Sequence, residues 1–264
     1  MRQVPRDAGR PVKHLLIGSG RLSRHFTHYF RDLGIDHETW LHPRVFTREV
    51  FQRTDFTHVW FLVSDRAIDS VGERWLGGVR EFSQPSAEDF LPQLLHASGS
   101  WVTPVARGAH PLMTFGPSLY PANFYRDIPF IVEDFFDGVE TEWILGGLPN
   151  RTVQIPSEKK ALYHALVSSA GNFPAMLWAD VFTRFERDLG ISHHLLAPYL
   201  FQTLANVLRE GEGSLTGPLI RGDRETIVKH KGVLEDSPLG RLYAAFEIFF
   251  RETLSHHPED SNHV

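Results

Sequence analysis

The chain has 264 residues, enough for one large domain or two of ordinary size. Hydrophobic residues make up 42% and charged residues 22%, a balance that supports a packed core and argues against disorder. The net charge of −5 comes without a basic stripe, which disfavours a nucleic-acid partner, and the absence of cysteine excludes disulfides and thiolate metal sites and fits a reducing, cytoplasmic setting.

Residues 1–10 carry charge with no apolar stretch behind them, unlike a secretory signal. Apolar runs such as Val59–Val63 are strand-length, far short of the roughly 20 residues a membrane helix requires. His14–Ile17 reads as a buried parallel strand that stops at Gly18. Leu22, Phe26, Tyr29, Phe30 and Leu33 recur at helical spacing, and Gly34 is placed to cap the helix. A weak strand over His37–Leu41 and a clear one over Thr57–Val63 complete a βαβ crossover in a mostly parallel sheet. The pattern over residues 72–90 is mixed and assigns no element. Strands are expected near Leu94–Leu95, over Val102–Ala106 and over Ile128–Val132, the last at a sheet edge because of Pro129. A helix over Thr141–Gly147 and a short strand over Thr152–Ile155 follow.

From Pro156 onward the apolar period is 3.6. Ser157 is expected to cap a helix through Leu162, Leu166 and Ala170, with further helices over Phe182–Leu189, Leu195–Leu208, Thr226–Leu234 and Leu239–Leu254, and a polar tail from His256. The expected fold is an α/β Rossmann-type domain with a parallel sheet over residues 1–155, followed by an all-α domain over 156–264.

Gly18-Ser19-Gly20-Arg21-Leu22-Ser23 is a G-x-G-x-x-S variant of the dinucleotide fingerprint, between a strand and a helix as that motif requires. The first glycine permits the tight turn. The second lets the backbone approach a pyrophosphate at the helix N-terminus, and Ser23 is small enough for helix–strand packing. About 20 residues on, Glu38 is a candidate ribose ligand for NAD, and Arg44 a candidate for the 2′-phosphate of NADP. The cofactor is expected to be NADP, with NAD as the alternative.

Further motifs keep order along the chain: Val63-Ser64-Asp65-Arg66-Ala67-Ile68, His96-Ala97-Ser98-Gly99, His110-Pro111-Leu112-Met113-Thr114-Phe115, Tyr163-His164 through Gly171-Asn172-Phe173, and Leu215-Thr216-Gly217-Pro218 with Arg221-Gly222-Asp223. With the glycine loop they resemble a bacterial family joining a Rossmann-like domain to a helical domain of unknown function. That family is similar in layout to pyrroline-5-carboxylate reductase, ketopantoate reductase and the 6-phosphogluconate dehydrogenase group. The resemblance implies a nucleotide across the C-terminal ends of the sheet, with Val63, Ser64 and Ser98 toward the nicotinamide and Asp65 beside them. It also implies a homodimer through the helical domain and an active site between the domains. The sequence departs from the family where the second strand ends, and the segment after Gly99 is short of a helix.

His164, Ser168 and Asn172 are spaced i, i+4, i+8, so on one helix they drift only about 40° and project from nearly one face. In the ketopantoate reductase group a lysine and two asparagines at this spacing meet the substrate. His164 stands at the lysine position and is a candidate general acid, Ser168 and Asn172 candidate orienting groups, and Lys159 or Lys160 an alternative source of charge. Ser168 alone is better read as lining a helix–helix or domain interface. His110, where a strand exits into a loop, is a further catalytic candidate or a backbone-capping histidine; its His-Pro-Leu-Met-x-x-Gly run resembles a substrate-side loop of prephenate dehydrogenases. Thr216 and Arg221 can meet a substrate, while Asp223 reads as the next helix's N-cap. His25, His28, His193 and His194 lack metal-ligand spacing, and no metal is expected. The expectation is an NAD(P)-dependent oxidoreductase moving hydride to or from a small carbonyl, imine or hydroxy acid. A non-catalytic nucleotide-binding sensor or scaffold with the same fold is the alternative.

Overall fold

The computed structural model describes residues 11–43, 45–53, 55–82, 92–134 and 141–253. Arg44 and the polar tail from His256 lie outside the described residues. The chain packs into two compact units, Met1–Phe173 and Pro174–Val264.

The first unit is built on a seven-stranded sheet: β1 (His14–Ile17), β2 (His37–Trp40), β3 (His58–Phe61), β4 (Gln93–His96), β5 (Arg107–Pro111), β6 (Phe130–Glu133) and β7 (Thr152–Ile155). The order is β2-β1-β3-β4-β5-β6-β7, parallel throughout except for the antiparallel β5–β6 pair. The strand direction of progress reverses at β1, so the crevice beside β1 and β3 is the topological switch point where ligands of open α/β sheets bind.

Every residue of β1 and β3 is buried, as strands covered on both faces must be. Leu16 and Trp60 face α1 (Arg21–Leu33), which contributes Phe26, Tyr29 and Phe30. Leu15, Ile17, Val59 and Phe61 face α2 (Arg48–Phe51) and α3 (Asp65–Phe82), which add Phe51, Val71 and Trp75. Gly34 takes the left-handed conformation (φ 67°) that ends α1. Helix α3 is where the sequence pattern read as mixed, because Gly72 and Gly78 interrupt the apolar stripe. Both are packing requirements, since a Cβ would fall 2.8 Å from Val105 at Gly72 and 2.3 Å from the Phe51 ring at Gly78.

Two expected strands are corrected. Residues 102–106 are not extended into a strand; β5 begins at Arg107, and the β4–β5 connection contains no helix, as the short segment after Gly99 implied. Strand β6 is internal, between β5 and β7, not at an edge. Pro129 is tolerated because it precedes the first ladder residue, and its carbonyl accepts from the Leu112 amide at 2.9 Å. Helix α4 (Ala122–Arg126) precedes β6, and α5 (Thr141–Ile144) precedes β7.

At the N-terminal ends of β1 and β3, His14 and His58 stack with ring centroids 4.8 Å apart. Their Nε2–H groups donate to the carbonyls of Gly146 and Trp143, both at 2.8 Å. His14 Nδ1 accepts from the Trp60 indole at 3.2 Å. Gly146, in the left-handed region (φ 57°), tucks this turn under the two rings.

Ser157 opens a 3₁₀ turn (Ser157–Lys159) without capping it: its amide and hydroxyl both donate to Asp134 Oδ1, at 3.2 and 2.9 Å. Helix α6 (Lys160–Val167) then runs through a π-helical turn (Ser168–Asn172) into α7 (Phe173–Leu189), so the expected single uniform helix is corrected. Pro174 lacks the N–H an α-helix would use there, which accounts for the local widening. The second unit comprises the rest of α7 with α8 (Ala197–Glu210), α9 (Arg224–Val233) and α10 (Pro238–Thr253). Asp223 caps α9 by accepting from the Thr226 amide at 3.1 Å. No helix among the described residues is long and apolar enough to cross a membrane.

Burial holds His14 well below the usual histidine range, with the neighbouring His58 adding to the effect, and it pushes His58 down to about 4. Both rings are neutral in the fold, while in the unfolded chain they titrate near 6.5, so the unfolded chain binds more protons between those limits. Stability is therefore full above pH 6.5 and falls as pH drops toward 4, by up to about 1.4 kcal/mol per pH unit for each such histidine. Urea unfolding across this range measures the slope, and His58→Gln is expected to reduce it; a flat profile would contradict the assignment.

Candidate functional site

A cleft of about 420 Å³ opens at the C-terminal ends of β1, β3 and β4. Its walls bring together Ser19, Gly20, Arg21, Leu22, Val63, Ser64, Asp65 and Ser98, with His42 from beyond β2. The sequence pointed to all of these except His42, whose carbonyl accepts from Ser19 Oγ at 2.8 Å.

The two fingerprint glycines serve different ends. Gly18 lies against β3: a Cβ there would sit 2.3 Å from the Leu62 carbonyl oxygen, so close strand approach excludes any side chain. Gly20, the N-cap of α1, has ordinary extended backbone (φ −80°, ψ −174°), and a Cβ on it would meet nothing within 4 Å. No side chain caps α1 and its first turn holds no acidic residue, so its amides and its positive dipole end face the cleft. Ser23 is buried beneath, its hydroxyl donating to the Gly18 carbonyl at 3.1 Å. Glu38 does not reach the cleft. It forms a bidentate pair with Arg53 (2.6 and 2.8 Å) and an ion pair with Lys13 (3.0 Å), ahead of β1.

Beyond Ser98, a cluster of titratable groups surrounds Gly99. A Cβ at Gly99 would lie 2.4 Å from His164 Cδ2 and 3.2 Å from His110 Nε2, so only glycine lets both rings approach. The two rings are 6.0 Å apart and nearly perpendicular. His110 Nδ1 lies 2.7 Å from the Tyr163 hydroxyl, and no hydrogen bond ties the His164 ring among the described residues. Behind His110, Lys160 donates to Glu133 Oε1 and to the Trp101 carbonyl, both at 2.6 Å. This pair is 3% and 1% exposed. Gly108 makes room for it, since a Cβ there would fall 2.2 Å from Lys160 Nζ. His96 Nε2 is 3.9 Å from Glu133 Oε1, and His96 Nε2 and Glu133 Oε2 are buried without a hydrogen-bond partner.

Burial pushes His96 down to about 3 and His110 down to about 4, with the Lys160 charge acting on both and His164 acting on His110. Burial raises the Tyr163 hydroxyl to about 12 and lowers Lys160, the latter against the opposing pull of Glu133. At neutral pH both buried histidines are uncharged and Tyr163 keeps its proton.

Ser168 is half-buried and Asn172 exposed, on the π turn that follows His164. Thr216 and Arg221 belong to the second unit, in the turn ahead of α9. The other histidines have local roles: His25 bonds Tyr125 and the Gly116 carbonyl, and His193 pairs with Glu186. Among the described residues no group of three or more His, Asp or Glu is placed to hold a metal ion. Sequence reasoning missed Tyr163, Glu133 and the burial of Lys160. The signal available was Gly108, a glycine inside a strand, which marks close approach by a neighbour.

Removing one partner of a buried ion pair strands the other charge. Lys160→Met is therefore expected to cost about 3–5 kcal/mol in urea unfolding, and adding Glu133→Leu to restore much of it. A double variant as unstable as the single one would show that the pair is not the unit of stability.

No curated protein matches the sequence. Among solved structures, a Bacteroides fragilis protein described as a candidate NADP oxidoreductase is 21% identical, over 91% of this chain and 98% of its own, with a TM-score of 0.71. A Streptomyces aurantiacus imine reductase is 15% identical over 91% and 93%, with a TM-score of 0.57. A Plasmodium falciparum pyrroline carboxylate reductase with NADP bound is 9% identical over 89% and 98%, with a TM-score of 0.53. At these identities the likeness is one of fold, and it is the Rossmann-type reductase layout that the motifs implied. Residues 140–247, which include β7 and the helices after it, match the family described as Domain of unknown function (DUF2520).

Proposed function

We propose that this protein is an NADP-dependent oxidoreductase that transfers a hydride to or from a small carbonyl, imine or hydroxy acid. The carrying observation is Gly20: its backbone conformation suits any residue and nothing packs against it, yet it stands over an uncapped helix N-terminus in a cleft at the switch point. That is the cradle a pyrophosphate requires. Preference for NADP rests on Arg21 and His42 in the lining, on the withdrawal of Glu38 into its pair with Arg53, and on the NADP named for the Bacteroides and Plasmodium proteins. Arg44 remains a further candidate for the 2′-phosphate.

Bound nicotinamide would supply the hydride chemistry. Ser98 lines the cleft and Gly99 beside it lies against both histidine rings, which supports a substrate position between the cofactor end of the cleft and His164. His164 then acts as general acid when a carbonyl or imine is reduced and as base in the reverse direction. Ser168 and Asn172 orient the substrate's polar group. A cytoplasmic setting fits the cysteine-free chain.

Gly20→Val tests the nucleotide reading without disturbing packing. It is expected to lower the unliganded melting temperature by only a few degrees, the cost of a valine N-cap, and to abolish the rise that NADPH produces in the parent protein. His164→Ala is expected to retain that rise and lose about 10²–10⁴-fold in turnover on a panel of small imines and ketones. If neither NADPH nor NADH raises the parent's melting temperature at millimolar concentration, the dehydrogenase reading fails. Cofactor binding with no turnover by the parent would instead favour the sensor.

A homodimer through the helical unit is part of the same proposal. Among the described residues from 161 to 253 none is buried, and Phe201, Leu208 and Val233 are 74%, 79% and 82% exposed. A helical unit with such apolar surface requires a partner to cover it, and a second copy is the usual one. Sedimentation should give a dimer for the parent, and Leu208→Glu should shift it toward monomer with a lower melting temperature; a monomeric parent would contradict this.

A further inference from the structure

We infer that Tyr163 is a positioning residue that holds His110 as a hydrogen-bond donor, presenting the His110 Nε2–H to the reacting oxygen or nitrogen of the substrate beside Gly99 and His164. This deepens the proposed oxidoreductase reading and rests on it.

The first argument is the direction of the Tyr163–His110 hydrogen bond. A phenol is the better proton donor and an sp² imidazole nitrogen the better acceptor, so the stable arrangement is O–H···N. The separation of 2.7 Å lies at the centre of the range for hydroxyl donors and at the short limit for N–H donors. The same molecule contains a pair whose direction is fixed independently. His25 Nε2 sits 2.9 Å from the Gly116 carbonyl, which can only accept, so in the neutral tautomer this contact selects, Nε2 donates and Nδ1 accepts from the Tyr125 hydroxyl 2.6 Å away. With a phenol at a similarly short separation from Nδ1, His110 Nδ1 accepts from Tyr163 and the proton of the neutral ring resides on Nε2.

The second argument is where that proton goes. His25 and His14 spend both ring nitrogens on the protein, whereas His110 Nε2 has no protein partner among the described residues. It points to the place where residue 99 would carry a Cβ, and Ser98, the next residue back, lines the cleft.

The third argument is charge. Gly108 and His110 are two apart on β5 and share a face, so the Lys160–Glu133 pair packed against Gly108 lies beside the His110 ring. Lys160, His164 and burial together keep His110 uncharged, while the burial of Tyr163 keeps its hydroxyl protonated. His96, the remaining titratable ring near this face, is neutral as well. A neutral imidazole polarises a carbonyl or imine without being consumed as an acid. In the reductive direction a bound dihydronicotinamide would supply the hydride from its own C–H bond and become oxidised. The substrate carbon would gain that hydride as the C=O or C=N π pair moves onto oxygen or nitrogen. His164 delivers the proton to that atom, and His110 keeps its own, contributing a hydrogen bond that shortens as negative charge develops.

The test is long-range ¹H–¹⁵N spectroscopy of the 264-residue chain uniformly labelled with ¹⁵N, with His110 assigned by the signal lost in His110→Gln. At pH 7 the parent should show His110 as a single neutral Nε2–H tautomer with a titration midpoint near 4. Tyr163→Phe preserves shape and should replace that signature with a mixture of tautomers. An Nδ1–H tautomer in the parent, or an unchanged signal in Tyr163→Phe, overturns the inference. Adding NADPH with 2-pyrrolidinone, a lactam whose carbonyl stands in for the substrate's, should then shift the His110 Nε2 resonance. NADPH-induced shifts at the Gly20 and Ser98 amides with His110 Nε2 unmoved by the lactam overturn this inference alone. No shift at those amides overturns the oxidoreductase reading and this inference together.

Discussion

Lys160 and Glu133 are brought out of water together, and much of the candidate site hangs on their contact. Their 2.6 Å hydrogen bond, with a second from Lys160 to the Trp101 carbonyl, fastens the first residue of α6 to the end of β6 and to the loop after β4. Burying two charges is unfavourable unless they meet with good geometry and further hydrogen bonds. The pair therefore tolerates little displacement of any of the three segments. Tyr163 and His164 follow Lys160 by three and four residues, one helical turn, so the same contact sets them over His110 and Gly99. Gly108 is part of this constraint, because any side chain at that strand position would displace the ammonium.

Buried histidines occur at both ends of the sheet, and residue type does not distinguish their roles. At the N-terminal end, the two rings of His14 and His58 have both nitrogens engaged and hold the turn after α5 in place. At the C-terminal end, His96 accepts the Ser98 amide through Nδ1 but leaves Nε2 without a partner, and His110 uses only Nδ1. A ring with both nitrogens engaged within the protein is a structural element. A ring with one nitrogen committed and the other without a protein partner has its tautomer set by the committed side alone.

What was legible in the sequence was what is local. The strand–glycine–helix order of the first thirty-odd residues, the Gly34 cap and the buried runs of β1 and β3 follow from neighbouring residues alone. Helix α3 was not legible, because the glycines that let Phe51 and Val105 approach it come from packing partners distant in sequence. The site was half legible for the same reason. His164 and His110 stood out as polar residues in suggestive settings, but the Tyr163–His110 contact spans 53 residues and the Lys160–Glu133 contact 27. No periodicity reports either. Spacing placed His164, Ser168 and Asn172 on one face by assuming a uniform α-helix, and the π turn beginning at Ser168 changes their relative phase.

Glycines just after β1 and β4 and at the start of β5 show which groups approach one another at this end of the sheet. Gly18, Gly99 and Gly108 are each explained from within: the Leu62 carbonyl, two imidazole rings and an ammonium group occupy the places their side chains would take. None of the three has the positive φ that would require glycine for backbone reasons. Gly20 shares their ordinary backbone yet has no neighbour at all. Gly20 is also the N-cap of α1, where glycine is preferred over alanine, and its lack of a side chain leaves the uncapped helix end open to an anion.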